Sequence, residues 1–228
     1  MKGKFIGTAG LLFCILFVHA CSTNDDESYF PLDNDFWWEY AIKRTLDNKL
    51  VEQKYIVANL PAKEIDGELL FPRKAANGTL ELYRKSDSGI ARTGLQDKPD
   101  VWIFKTPLQV GTRWQENTTL SFLDLPEHRK DLLSEAARQV ELDYVIEAID
   151  DTVDVAAGTF QHCMRIKAHG FVYANSSLKR IMGIRSIKIE HTHWYAPGIG
   201  LVKSIKRESS LPAKYDGEYF QELISYRH

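Results

Sequence analysis

The chain has 228 residues, 44% hydrophobic and 26% charged, with 14 Gly, 8 Pro and 3 Cys, which excludes collagen-like, disordered and disulfide-framework proteins. Its 29 basic and 31 acidic residues leave a net charge of −2 spread along the chain, so no basic field exists to hold nucleic acid and no nucleic-acid partner is expected. At the N-terminus Lys2 and Lys4 precede a mostly apolar run from Phe5 to Val18, the pattern of a secretory signal over residues 1–20. That run is shorter than the roughly 20 residues a membrane-spanning helix takes.

Val18-His19-Ala20-Cys21 resembles the lipobox of bacterial lipoproteins. The resemblance implies cleavage between Ala20 and Cys21, lipid attachment at Cys21, and the membrane as a partner through that N-terminal anchor. Three acyl chains, at about 0.8 kcal/mol per buried methylene, hold a protein on a bilayer where one chain binds only marginally. Ser22 after the cysteine, in place of Asp, resembles the signal for the outer membrane, so the expected location is the bacterial cell envelope, lipid-anchored and facing the periplasm. Residues 21–28 are polar and acidic, a flexible tether. Loss of Lys2 and Lys4 with the signal leaves 27 basic residues against 31 acidic, a net of −4. Cys14 leaves as well and Cys21 carries lipid, so Cys163 has no partner for an internal disulfide and reads as a small buried hydrophobe.

From Phe36 onward the dominant period is two. Trp38, Tyr40 and Ile42 share one face before Asp47-Asn48, and Val51, Tyr55 and Val57 share one face after it, as the arms of a hairpin do. Asn77-Gly78 marks a second turn, between strands at 69–73 and 80–84. Further strands are expected at 89–94, 101–105, 113–122, 140–148, 152–156, 160–173, 184–195, 199–207 and 218–226. One helical insertion, near 126–138, interrupts them with Leu132, Leu133, Ala136 and Ala137 on a single stripe. No alternation of strand and helix occurs, which removes parallel sheets. The fold class expected is all-β with one inserted helix, an antiparallel and strongly curved sheet forming an incomplete barrel or a sandwich, as a single domain over 29–228. Pro31-Leu32 before Trp38 is echoed by Pro107-Leu108 before Trp114.

The usual chemical signatures are missing: no Gly-x-Ser-x-Gly elbow, phosphate loop, dinucleotide fingerprint, His-Glu-x-x-His or Cys-x-x-Cys occurs. No catalytic residue and no cofactor is assigned. Period two places His191 and His193 on the face of Ile187, Ile189 and Tyr195, with Lys188, Glu190 and Thr192 turned away. A hairpin turning at 175–177 brings His162 toward His191, which makes His162, His191 and His193 candidate metal ligands. Ordinary hydrogen-bonded histidines in a wet cavity are the weightier alternative. Trp37 and Trp194 fall on the face opposite the core and are the candidate ligand contacts, against the reading that they sit in a second small core. The pairs Arg84-Lys85 and Lys206-Arg207 read as solvated strand positions.

Three motifs carry a wider likeness. Tyr29-Phe30-Pro31-Leu32 with Trp38 and Tyr40, then Val155 to Phe160 with Cys163 and Arg165, then Trp194 to Lys203, together resemble the TapB-like group of bacterial envelope proteins and neighbouring domains of unknown function. The resemblance implies a strongly curved antiparallel sheet in an exported protein and supplies no catalytic residues. The expectation is therefore a lipid-anchored envelope protein, a non-catalytic binding or assembly module whose partner is an apolar or polymeric envelope ligand, a lipid or an envelope protein. The competing reading is a metal-dependent hydrolase that uses His162, His191 and His193.

Overall fold

The computed structural model describes residues 28–46, 49–94, 99–120, 138–213 and 215–228. The signal, Cys21, most of the tether and all but the last residue of the expected helix at 126–138 lie outside the described residues. Thirteen strands form one antiparallel sheet: β1 (Trp37–Leu46), β2 (Lys49–Asn59), β3 (Lys63–Ile65), β4 (Glu68–Ala75), β5 (Leu80–Ser86), β6 (Gly89–Arg92), β7 (Val101–Lys105), β8 (Arg113–Thr119), β9 (Gln139–Val155), β10 (Gly158–Tyr173), β11 (Ser186–Ala196), β12 (Gly200–Leu211) and β13 (Gly217–Arg227). Their spatial order is β7-β6-β5-β4-β2-β1-β13-β12-β11-β10-β9-β8, with β3 appended to β4.

This order is a meander joined to itself, and it curls until its ends, β7 and β8, nearly close a barrel. No backbone ladder joins the two end strands among the described residues. Instead the Trp102 N–H on β7 donates to Glu116 Oε1 on β8 at 3.1 Å. Glu116 is buried, and burial raises its carboxyl pKa although that N–H and Lys105 pull it down. The all-β class and the curvature thus have one physical cause: alternating strands bury one face, and twist accumulated over many strands brings the edges together.

The alternation expected from the sequence is what the strands display. The expected strands at 140–148 and 152–156 are one continuous strand, β9, and the short β3 was not anticipated. A tight turn at Asp66-Gly67, with φ of 53° and 79°, joins β3 to β4. Gly170 on β10 is required by close approach, since a Cβ there would lie 2.5 Å from Leu142 Cδ2 and 2.9 Å from the Glu141 carbonyl.

Three apolar clusters organise the interior. At one end Leu142, Ile187 and Ile189 pack with Leu178 and Met182, which a short π-helical turn (Leu178–Met182) in the β10–β11 connection presses against them. At the middle and opposite end Phe30, Tyr83, Phe104, Met164, Ile166 and Tyr195 form an aromatic cluster. A third gathers Trp38, Val153, Cys163, Val202 and Leu223 beneath the tip of the long β9–β10 hairpin. Register shifts between Phe160 and Ile166 bend this hairpin, and its Ala157 N–H reaches the Leu223 carbonyl on β13 at 3.0 Å. Cys163 is fully buried there and its thiol is pushed up to about 11 by burial, then by Asp151.

The outer face carries ion pairs, among them Lys54–Glu39 at 2.8 Å, Arg165–Glu147 at 2.8 Å and Lys188–Glu190 at 2.9 Å. A membrane-spanning barrel presents an apolar band outward, so this wall is built for water. No helix among the described residues is long and apolar enough to cross a membrane.

Candidate functional site

Strand register builds two parallel rows across the inner wall. One row runs Arg44 (β1), Tyr219 (β13), Lys206 (β12), His191 (β11), Ala168 (β10), Tyr144 (β9) and Trp114 (β8), each directly opposite the next. Beside it runs Ile42, Gln221, Ser204, His193, Ile166 and Ile146. Directly opposed residues in antiparallel strands sit about 5 Å apart. Two histidines and a lysine are therefore neighbours on the inside of the barrel, framed by tyrosines on one side and aliphatic residues on the other.

His191 and His193 face inward with Ile187, Ile189 and Tyr195, as period two requires, and their rings stand 6.1 Å apart, edge to face. Ser204 Oγ and His193 Nδ1 share a hydrogen bond of 3.0 Å, and the Tyr219 hydroxyl donates to Gln221 Oε1 at 2.7 Å. The Lys206 Nζ lies 5.4 Å from the centroid of the Tyr219 ring. Burial pushes His191 down to about 3, with Lys206 adding to the shift, and takes His193 well below the usual imidazole range with help from Lys206 and His191. Burial also lowers Lys206, against the pull of Glu208. All three side chains nonetheless keep part of their surface open.

Lys206 thus departs from its expected place in solvent, while its neighbour Arg207 is exposed and pairs with Glu218 on the outer face.

His162 does not join this group. It occupies a left-handed position, φ 55°, within the bulged stretch of β10, where its Nδ1 meets Asp150 Oδ1 at 2.5 Å and its side chain is 71% exposed. The three-histidine arrangement needs a tight turn at 175–177, but β10 and β11 are joined by the longer segment 174–185, and Ile166 and Ala168 are the residues facing His193 and His191. Among the described residues no group of three or more His, Cys, Asp and Glu is placed to hold a metal ion. Ser204 and His193 have the spacing of a nucleophile and its base, yet Ser204 is 1% exposed and burial makes the imidazole a weak base.

The two tryptophans have different surroundings. Trp194 is partly buried under the β9–β10 hairpin, its Nε1 donating to Asp151 Oδ2 at 3.0 Å, so it belongs to a second small core. Trp37 lies half-buried on the outer face of β1.

The barrel end nearest the tether is plugged by the segment 28–36. Phe30 sits between Tyr83 and Phe104, and the Arg73 guanidinium stacks over it at 4.2 Å. A cavity of about 630 Å³ opens outside this plug, lined among others by Pro31, Phe36, Phe71, Lys85, Ile199 and His228. The motifs of the TapB-like resemblance meet here. The Trp38 Nε1 donates to the Ile199 carbonyl at 2.7 Å, the Tyr40 hydroxyl to the Leu201 carbonyl at 3.0 Å, and the Tyr29 hydroxyl to the His162 carbonyl at 3.0 Å. Gly200, at φ 95°, leaves room for Pro31, whose Cδ a Cβ would meet at 3.3 Å. What the motifs encode at this end is architecture.

No family model matches the chain, and no curated protein matches it. Among solved structures, a candidate exported protein with a YmcC-like fold from Bacteroides fragilis is similar over 87% of this chain and 98% of its own, at 15% identity and a TM-score of 0.45. A candidate lipoprotein from Parabacteroides distasonis is similar over 87% of this chain and 98% of its own, at 12% identity and a TM-score of 0.40.

Proposed function

We propose that this chain is a lipid-anchored protein of the bacterial cell envelope, held at the outer membrane and facing the periplasm, whose barrel binds a ligand without transforming it. The observation that carries the binding role is the inner wall: neutral imidazoles, tyrosine hydroxyls and a lysine are enclosed by protein yet keep open surface. Polar groups brought inside at a cost and left accessible are the signature of a binding space rather than a filled core. Support for the anchor comes from Ala20 and Cys21 in their lipobox context, and the charged outer wall fits a body that stays in water.

Native mass spectrometry of protein purified from membranes in mild detergent is expected to show a small molecule that leaves on unfolding. An empty barrel that also fails to take up an apolar fluorescent probe overturns the binding role. Cys21→Ser is expected to move the protein from the detergent to the aqueous phase, and an unmodified Cys21 in the wild type overturns the anchor.

A further inference from the structure

Among the described residues the cations of the inner wall outnumber the carboxylates set against them. Arg44, Tyr219, Lys206 and His191 stand opposite one another across β1, β13, β12 and β11, so the outer two lie only about 15 Å apart along the row. Among the described residues Arg44 Nε is buried with no hydrogen-bond partner, and the Lys206 ammonium lies over the face of Tyr219. Other charges that face Lys206 are Glu208, Glu81 and Arg92. Glu81 is engaged by Arg92 Nη1 at 2.7 Å and by the Tyr83 hydroxyl at 2.6 Å, so that pair is internally balanced. Of the carboxylates among the described residues that act on Lys206, Glu208 is the other one, set against Arg44 and Lys206, an excess of one positive charge there.

The neutral groups beside them are donors as well. His191 carries a ring N–H in its uncharged form, and Gln221 accepts from Tyr219 through Oε1, which leaves its amide N–H₂ to donate. Enclosing an ammonium costs several kcal/mol unless a counter-charge and hydrogen bonds meet it. A wall that gathers an excess of cations and spare N–H donors in one row has the chemistry of an anion site whose counter-charge arrives with the ligand. Beyond the row the wall turns apolar, through Ile42, Ile166 and Ile146.

We propose that Lys206, with Arg44, His191 and Gln221, binds the anionic group of the ligand, a carboxylate or phosphate. The inference rests on the barrel being a binding space and names the polar end of what it holds. The site and the role of Lys206 are tested by calorimetric titration of the full-length protein in non-ionic detergent with octanoate, octanamide and inorganic phosphate.

Octanoate is expected to bind at least tenfold more tightly than octanamide. Lys206→Met removes that preference and Lys206→Arg keeps it. Binding of phosphate with the same dependence on Lys206 assigns the site to free oxyanions, and binding of octanoate alone assigns it to anionic amphiphiles; both uphold the anion site. Equal binding of octanoate and octanamide, unchanged by Lys206→Met, overturns the anion site while leaving the binding barrel intact. Failure of all three probes to bind overturns the anion site too, and the co-purified mass then decides the barrel separately. Acetylation of Lys206 in the wild type, followed by peptide mass, needs no variant: octanoate or phosphate slows it several-fold, and no protection by either counts against the proposal.

Discussion

Arg73 and Lys206 are both cations enclosed by the barrel, and they meet burial in opposite ways. Arg73 donates from Nε to Asn59 Oδ1 at 2.8 Å and from Nη2 to the Pro31 carbonyl at 3.0 Å, and its plane lies over the rings of Phe30, Trp38 and Tyr83. A planar, weakly hydrated guanidinium can be satisfied by carbonyls and ring faces in this way. It pins the segment before β1 to the sheet. Lys206, a compact and strongly hydrated ammonium, has one ring face and open surface. The contrast separates two uses of buried charge in one wall: a fully partnered cation holds the fold, and a partly partnered one waits for something else.

Replacing Arg73 should break the contrast from the structural side. Arg73→Met strands the Asn59 and Pro31 acceptors and empties the space between three rings, at a cost of about 3 kcal/mol or more in urea denaturation. Acid should act next. His191 and His193 have folded pKa values below the ordinary 6.5, so the unfolded chain binds more protons as pH falls through that value. Stability is then complete above pH 6.5 and lost below it, down toward about 3 for His191. Each pH unit in that window removes up to about 1.4 kcal/mol per histidine. Urea midpoints measured from pH 7 to 5 should fall, and a His191→Gln, His193→Gln double variant should flatten the slope.

An anion extends the comparison. Glu116, buried at the junction of β7 and β8, is partnered like Arg73, so Glu116→Ala should cost about 1–3 kcal/mol and speed hydrogen exchange at the Trp102 amide. The smallest effect belongs to Lys206→Met, which should change stability by less than about 1 kcal/mol or raise it, because an apolar side chain relieves the excess charge. A loss matching that of Arg73→Met would erase the distinction between the two cations.

Much of this was legible in the sequence, for reasons that particular residues make clear. The strict alternation of Ile187, Ile189, His191, His193 and Tyr195 leaves only one face they can share, and the turn at Asn77-Gly78 announces itself chemically. Lys206 was misjudged because alternation separates one face from the other but does not distinguish solvent from a polar interior; a lysine beside an arginine looks solvated in either case. His162 falls elsewhere because β10 and β11 are joined by the segment 174–185, whose π-helical turn carries no turn signal as clear as Asn175-Ser176-Ser177. The closure through Glu116 joins strands whose pairing no local pattern encodes. Trp194 needed the hairpin tip above it, and the bending of that hairpin is likewise a tertiary event.

The segment that plugs the barrel fixes a length. Ser28 is bonded through its carbonyl to the Gly198 N–H at 3.0 Å, and Pro31 is held by Asn59 and Arg73, so the chain leaves the body at a defined point on the rim. Six residues lie between that point and Cys21, seven steps of the chain and a leash of at most about 25 Å when fully drawn out. On the proposed attachment of fatty chains at Cys21, the rim and its cavity stay within that radius of the lipid headgroups, so anything exchanged between barrel and bilayer has only a short gap to cross.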